Sequence, residues 1–376
     1  MTSTSFRPRW LALLLALVLV AAACGSDDGD TEAADDGSAS ETETTEEADT
    51  DEEESSDDEA MADDGDEDAG VAPGDTITIG FSVQSISRTF FSGMLAGIEG
   101  AEAEMEEKYG VNISIVTTTA QDESSIQDEN TGDLIAAGVD GVIFSPVNSG
   151  AATSMVDRLI EADIDVVAVA NQIGDVETYG RNTIYPGTAG YVTNDDIAMG
   201  AKAAEAADAL AADVDGTANI FILQGTQGAA NVPLRQDGFT ERLAELGTDW
   251  NQLDARPGDF SNVVAEETCQ NAITAFPEMH IIYSMSDEMT AGCVRALESA
   301  DRLDIGIASI GGNAKGIELL EQGLMPATVC QKPGTMGATA LDSLLDAIVN
   351  GNERGLEFYE TPVVTLDNLD DCVPQW

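Results

Sequence analysis

Residues Thr76-Ile-Thr-Ile-Gly-Phe-Ser-Val83 form a short apolar run that breaks into the polar turn Gln84-Ser-Ile-Ser-Arg-Thr89, and a helical pattern then runs from Phe90-Phe91 to Lys108. A strand-length pattern followed by a helix-length one is a single β-turn-α unit. Its turn lies at the carboxyl end of the strand, the edge of an open parallel sheet where helix N-termini and loop side chains converge on ligands. Strand-length runs recur at Ile113–Val116, Gly141–Phe144 and Val166–Val169, with helical stretches Ser124–Ala137 and Ala151–Ala162 between them. This alternation predicts right-handed βαβ crossovers and a parallel sheet. Pro and Gly punctuate Asn182–Gly190, and a polar strand Tyr191–Asp195 follows. A second series then begins, through Ala218–Gln224, Gly238–Leu246, Val263–Phe276, His280–Met285, Met289–Ala300 and Ile305–Ile310. Pro326–Gln331 leads to helix Gly337–Asn350, and Thr361–Leu366 closes the pattern. The expected fold is α/β, with two doubly wound parallel-sheet lobes.

The chain has 376 residues, 43% of them hydrophobic, enough for two domains plus extensions. Its 15 basic and 71 acidic residues give a formal charge of −56. Nucleic acid is therefore not an expected partner, since a polyanion is bound by clustered Lys and Arg. The segment Gly25–Gly70 holds 23 of the acidic residues and no Lys or Arg. Setting it aside with Arg7 and Arg9 leaves 48 acidic against 13 basic residues, a net −35. A fold so charged repels its own copies, and salt screens that repulsion.

Residues 1–24 read as a targeting segment. Arg7 and Arg9 precede the apolar run Trp10–Val20, which is too short to span a membrane as a mature helix and ends in Ala21-Ala-Ala-Cys24. That ending resembles a bacterial lipoprotein signal, in which Cys24 is lipidated and becomes the new N-terminus. Ala21 stands where that pattern prefers Leu, and an ordinary secretory cut near Ala23 is the alternative. Either way an exported, extracytoplasmic protein is expected, held on the cell membrane in the lipidated case. Residues 25–74 are acidic and almost devoid of large apolar side chains. They form an expected disordered tether, because they bury too little surface to offset ordering entropy.

The ordered set Phe90-Phe91, Asn194-Asp195, Leu223-Gln-Gly225, Arg235-x-x-Gly238-Phe239, Asp259-Phe260, Ser286-Asp-Glu-Met289 and Gln331 resembles the ribose-binding branch of type I periplasmic binding proteins. The similarity runs from Asp75 to about Asn368. It implies a two-lobed clamp joined by three crossover strands, near Asn194-Asp195, Gln331 and Val364. The lobes would be residues 75–194 plus 332–364, and residues 195–331 plus 365–376. The resemblance also implies a monomer that closes on one small sugar-like solute and delivers it to the transmembrane subunits of an ABC permease, with no cofactor and no metal.

Sugars present apolar ring faces and in-plane hydroxyls, so a site for them needs aromatic rings and planar bidentate groups. Phe90, Phe91 and Phe260 match aromatic positions of the family. One of the two adjacent phenylalanines is expected in the core and the other against ligand. Arg235 matches the family's ligand-binding arginine, with a solvated helix-surface side chain as the alternative. Gln331 matches a ligand residue on a crossover strand, with an interlobe backbone hydrogen bond as the alternative. The sequence also departs from the family pattern. Arg88 replaces an Asn, Ala170-Asn171 replaces Asp-Arg, Ser286 replaces an Asn and Gly311 replaces an Asp. Loss of both carboxylates and gain of Arg88 lead to the expectation of two positive charges in the cleft. That implies a ligand with fewer hydroxyl demands or an acidic group, such as a sugar acid, a deoxy compound or a polyol.

Four cysteines besides Cys24 allow three pairings. Cys269 and Cys293 lie on successive helices of one lobe, which favours their bridge and leaves Cys330–Cys372 to staple the tail to a crossover strand beside Gln331. Enzyme chemistry finds little support. His280 is the only histidine and begins an apolar strand, no Cys/His cluster has zinc spacing, and Gly225-Thr-Gln-Gly228 lacks the ending of a phosphate loop. A solute-binding lipoprotein of an ABC importer is the main reading. An extracytoplasmic sensor lipoprotein presenting a signal molecule to a membrane receptor is the alternative from another class, and a surface hydrolase on the same sheet is a third.

Overall fold

The computed structural model describes residues 71–376, so the expected lipoprotein signal and nearly all of the expected acidic tether lie outside the described residues. The first series forms β1 (Thr76–Val83), α1 (Thr89–Tyr109), β2 (Asn112–Thr119), α2 (Ser124–Ala137), β3 (Gly141–Phe144), α3 (Ala152–Glu161), β4 (Asp165–Val169), α4 (Val176–Tyr179) and β5 (Gly190–Thr193). The second runs α5 (Asp196–Ala211), β6 (Ala218–Gln224), α6 (Asn231–Leu246), β7 (Trp250–Pro257), α7 (Asn262–Ala275), β8 (Ile281–Ser284), α8 (Asp287–Ser299), β9 (Gly306–Gly311), α9 (Ala314–Glu321) and β10 (Thr328–Cys330). After these come α10 (Pro333–Asn350), β11 (Gly355–Phe358) and β12 (Val363–Val364).

Two six-stranded sheets result, ordered β11-β5-β4-β3-β1-β2 and β12-β10-β9-β8-β6-β7. Every pairing is parallel except that of β12 with β10. The chain passes between the sheets after β5, after β10 and after β11. Because Val363 and Val364 pair with β10, the third passage precedes them, and these two residues do not belong with the first lobe as the sequence reading had it. Lys202 Nζ on α5 donates to the Thr361 carbonyl at 2.6 Å within that passage.

Both sheets are covered on both faces. In the first, Ile79, Phe81 and Val83 pack with Met94 of α1 and Leu341 and Leu344 of α10, while Val142, Phe144 and Tyr191 pack with Met155 and Leu159 of α3 on the other face. In the second sheet Phe239 stacks on Tyr283 with centroids 3.9 Å apart. The strands absent from the sequence reading, β7 and β11, are edge strands with half-exposed residues, so they carry no continuous apolar run. One carboxylate is buried beside the second passage. Asp287, at the start of α8, accepts from Ser309 Oγ at 2.5 Å, the Gly312 amide at 2.7 Å and Thr328 Oγ1 at 2.8 Å. Burial pushes its carboxyl up and these donors oppose the shift.

The disulfides are Cys269–Cys293, between α7 and α8, and Cys330–Cys372, with Cα separations of 5.3 and 6.0 Å. The first closes a loop of 24 residues inside the second lobe. Loop-closure entropy gives a bridge of that span a contribution of roughly 3 kcal/mol. The double substitution Cys269→Ala/Cys293→Ala is therefore expected to lower unfolding free energy by roughly 2–4 kcal/mol in denaturant titration. Loss of ligand affinity in that variant, with the fold retained, would contradict the purely structural role.

Candidate functional site

The carboxyl ends of both sheets face a cavity of about 390 Å³. All eight residues singled out from the sequence stand on its wall: Arg88, Phe90, Phe91, Asn171, Arg235, Phe260, Ser286 and Gln331. Their environments differ. Phe91 is buried in the core of the first lobe, while Phe90 is half-buried and lies edge-on to it at 5.4 Å. Asn171 is buried, and its Oδ1 accepts from the Asn231 amide at 3.1 Å. Ser286 Oγ accepts from the Glu288 amide at 3.2 Å and caps α8. Gln331 is buried with its Nε2 3.9 Å from Met199 Sδ.

Arg235 is 4% exposed, which removes the solvated-surface alternative. Its Nε donates to Asp196 Oδ1 at 2.8 Å and its Nη1 to the Met285 carbonyl at 2.7 Å, and the Phe260 ring centroid is 5.7 Å from the guanidinium carbon. The guanidinium is thus held on two sides by the protein, and its Nη2 has no hydrogen-bond partner among the described residues. Arg88 pairs with Asp122, its Nε 3.1 Å from Oδ1.

In the structure each of the two arginines expected in the cleft stands on the cavity wall beside a carboxylate. Arg88 is offset by Asp122, Arg235 by Asp196, and a further carboxylate, Glu288, stands on the wall with its side chain hydrogen-bonded by Asn262. The sequence reading missed Asp122 and Glu288 because it looked for carboxylates only at the family's positions. It also missed Asn194, Asn231, Asn262 and Trp376 on the wall. Asn231 Oδ1 is buried without a hydrogen-bond partner among the described residues, an acceptor left open at the cavity. Of these, Asn194 and Glu288 had a legible signal, as they sit inside the Asn194-Asp195 and Ser286–Met289 motifs.

The loops that shape the cavity carry backbone strain. Gln121 and Asp122 after β2, Ala170 after β4, and Asp259 and Phe260 after β7 all have φ between 50° and 65°. Each such non-glycine residue costs on the order of 1–3 kcal/mol, persists only where its surroundings dictate it, and marks binding loops. Gly225 explains how Phe260 reaches its place, since a Cβ there would lie 2.0 Å from the Phe260 ring. The glycine-rich turn is thus a seat for an aromatic ring and for the lobe contact described below. Gly311, where the family has an Asp, has no room for a side chain, because a Cβ would lie 2.5 Å from the Asp287 carboxyl.

The lobes touch around the cavity. The Ser149 amide donates to the Gly228 carbonyl at 3.0 Å, and the Ala230 amide to Ser149 Oγ at 3.1 Å. Arg181 reaches Asp237 at 2.6 Å and Glu241 at 2.8 Å on α6. These contacts join the lobes beside the cavity.

Burial pushes the Asp196 carboxyl up to about 6 against the pull of Arg235. Its Oδ2 is buried with no hydrogen-bond partner among the described residues, in keeping with the desolvation that raises it. A raised pKa means the folded state keeps a proton that the unfolded chain releases above about pH 4, so the stabilisation is full below that pH and is lost as pH rises through about 6. Wild type should therefore gain stability over Asp196→Asn, on the order of 2 kcal/mol, when chemical denaturation is run at pH 4 rather than pH 7. A difference that shrinks toward pH 4 would mean Arg235 keeps the carboxylate ionised. Gly225→Ala should displace Phe260 and weaken solute binding, with little effect on the secondary structure seen by circular dichroism; unchanged binding would contradict the seating role.

A family profile described as "Periplasmic binding protein domain" matches residues 79–353. The ribose import binding protein of Escherichia coli strain K12 is 26% identical over 276 residues, covering 73% of this chain and 86% of that protein. The xylitol-binding protein of Mycolicibacterium smegmatis is 29% identical over 304 residues, covering 80% and 81%. Among solved structures, a galactofuranose binding protein superposes with a TM-score of 0.68 at 23% identity, covering 78% of this chain and 96% of the other. A Bacillus halodurans ABC transporter solute binding protein with bound myo-inositol superposes with a TM-score of 0.69 at 21% identity, covering 80% and 98%. These relatives are binding proteins, and this chain is one too, not an enzyme. With two parallel-sheet lobes lining one cavity and a family profile spanning both, the chain belongs to the type I periplasmic binding proteins, in their ribose/galactose-type sugar-binding branch.

Proposed function

We propose that this chain is the extracytoplasmic, lipid-anchored solute-binding component of an ABC importer and captures a neutral sugar or polyol between its lobes. The observation that carries the reading is the cavity of about 390 Å³, walled by aromatic rings and by arginines whose charges are already paired. A neutral polyhydroxylated ring or chain suits it. Phe90 and Phe260 offer apolar faces, the open Nη2 of Arg235 and Oδ1 of Asn231 offer a donor and an acceptor, and Asp122 and Glu288 offer charged acceptors for hydroxyls. Relatives named for ribose and xylitol, and a solved structure holding myo-inositol, support the same class. The Cys24 signal supports the membrane anchor. Delivery then follows from the clamp: solute bridging both lobes shifts the open-closed equilibrium, and the permease reads the closed form.

A thermal-shift panel of D-ribose, D-allose, xylitol, myo-inositol and their acid analogues tests this, because a ligand that binds only the native form raises the melting temperature. At least one neutral member is expected to bind, with Arg235→Ala weakening calorimetric affinity about tenfold or more, the order expected for a lost charge-assisted hydrogen bond. Binding restricted to sugar acids, or an Arg235→Ala variant that binds like wild type, would overturn the reading.

A further inference from the structure

The segment after Cys372 does something a lobe terminus need not do. It is fastened to the second lobe through the Cys330–Cys372 bridge, which lies against Gly312 at φ +78, where a Cβ would come 2.7 Å from Cys372 Sγ. From there it crosses to the first lobe. Gln375 Oε1 accepts from the Thr335 amide at 3.1 Å and its Nε2 donates to Thr335 Oγ1 at 3.1 Å, in the first turn of α10. The Gln375 carbonyl occupies space that a side chain on Gly93 of α1 would need, only 2.5 Å from where its Cβ would stand. Trp376 then turns back, its main-chain oxygen accepting from the Ala314 amide of α9 in the second lobe at 3.1 Å. Its ring meets Phe90 edge-on at 5.3 Å, on the cavity wall, with a buried indole Nε1 that has no hydrogen-bond partner among the described residues.

We propose that residues 372–376 form a disulfide-seated strap across the two lobes, and that Trp376 is a specificity-determining residue that presents an aromatic face to the bound solute. The inference rests on the sugar or polyol reading above. Phe90 and Trp376 form a corner in which one ring braces the other, and the bridge beside Gln331 sets where that corner stands. Three contacts on opposite lobes also make the strap a brake on opening. Cys330 and Cys372 are positioning residues that act through Trp376.

Calorimetry and indole emission with D-ribose, xylitol and myo-inositol test the assignment on the full chain. Trp376→Ala is expected to weaken binding roughly three- to tenfold, the range that an aromatic contact contributes. Trp376→Phe should restore most of the affinity while abolishing the solute-induced change in indole emission, because the other described tryptophan, Trp250, packs on Phe239 away from the cavity. Cys330→Ser/Cys372→Ser should weaken binding to a similar degree, and adding Trp376→Ala to it should cost little more, since the two act as a unit. Trp376→Ala binding like wild type, an emission change that survives in Trp376→Phe, or fully additive losses would each overturn the strap while leaving the sugar reading intact. Failure of the wild-type chain to bind any of the three would instead overturn the sugar reading and, with it, the ligand-facing role of Trp376.

Discussion

A guanidinium withdrawn from water is the interaction around which this cleft is built. Arg235 sits at the floor of the second lobe, held by Asp196, the Met285 carbonyl and the face of Phe260. Breaking such a buried pair from one side leaves an uncompensated charge at a cost of roughly 3–5 kcal/mol, so each neighbour is constrained by the others. The constraint spreads outward. Asp196 opens α5 immediately after the first passage between lobes, Met285 directly follows β8, and Phe260 is carried by the strained turn after β7. One side chain thereby ties the hinge, a central strand and a binding loop to a single geometry.

The pairing also decides the chemistry. Two arginines on a cavity wall attract anions only if their charge is unspent, and here each faces a carboxylate within 3.1 Å. What the wall then offers is directional hydrogen bonding and aromatic surface in near charge balance, which suits the uncharged sugar or polyol proposed above. The strained residues at 121–122, 170 and 259–260 fit the same picture, since loops fixed before a solute arrives lose little freedom when it binds.

Much of this was legible in the sequence, for stated reasons. Central strands such as Gly141–Phe144 and Val166–Val169 are buried on both faces and announce themselves as apolar runs, and the repetition of strand and helix implied parallel sheets. The wall residues at strand ends followed from topology and from the resemblance. Edge strand Trp250–Pro257 was not legible, because a half-exposed strand needs no apolar run. Nor was the charge pairing: Arg88 meets Asp122 across 34 positions and Arg235 meets Asp196 across 39, and no local pattern encodes either contact. Trp376 was invisible for the same reason, since its place depends on a disulfide between residues 42 apart and on a glycine in α1.

Away from the passages and the 372–376 segment, the lobes meet through short contacts from Ser149, Asn171 and Arg181 to residues 228–241, a modest and partly exposed set. Exposed ion pairs contribute little, so these contacts alone hold the cleft shut only weakly, and a bridging solute supplies the rest. Small-angle X-ray scattering of the chain with and without a saturating solute identified by calorimetry tests that claim most directly. The account predicts a smaller radius of gyration on saturation, reversed by dialysis. An unchanged scattering profile at full calorimetric occupancy would contradict it.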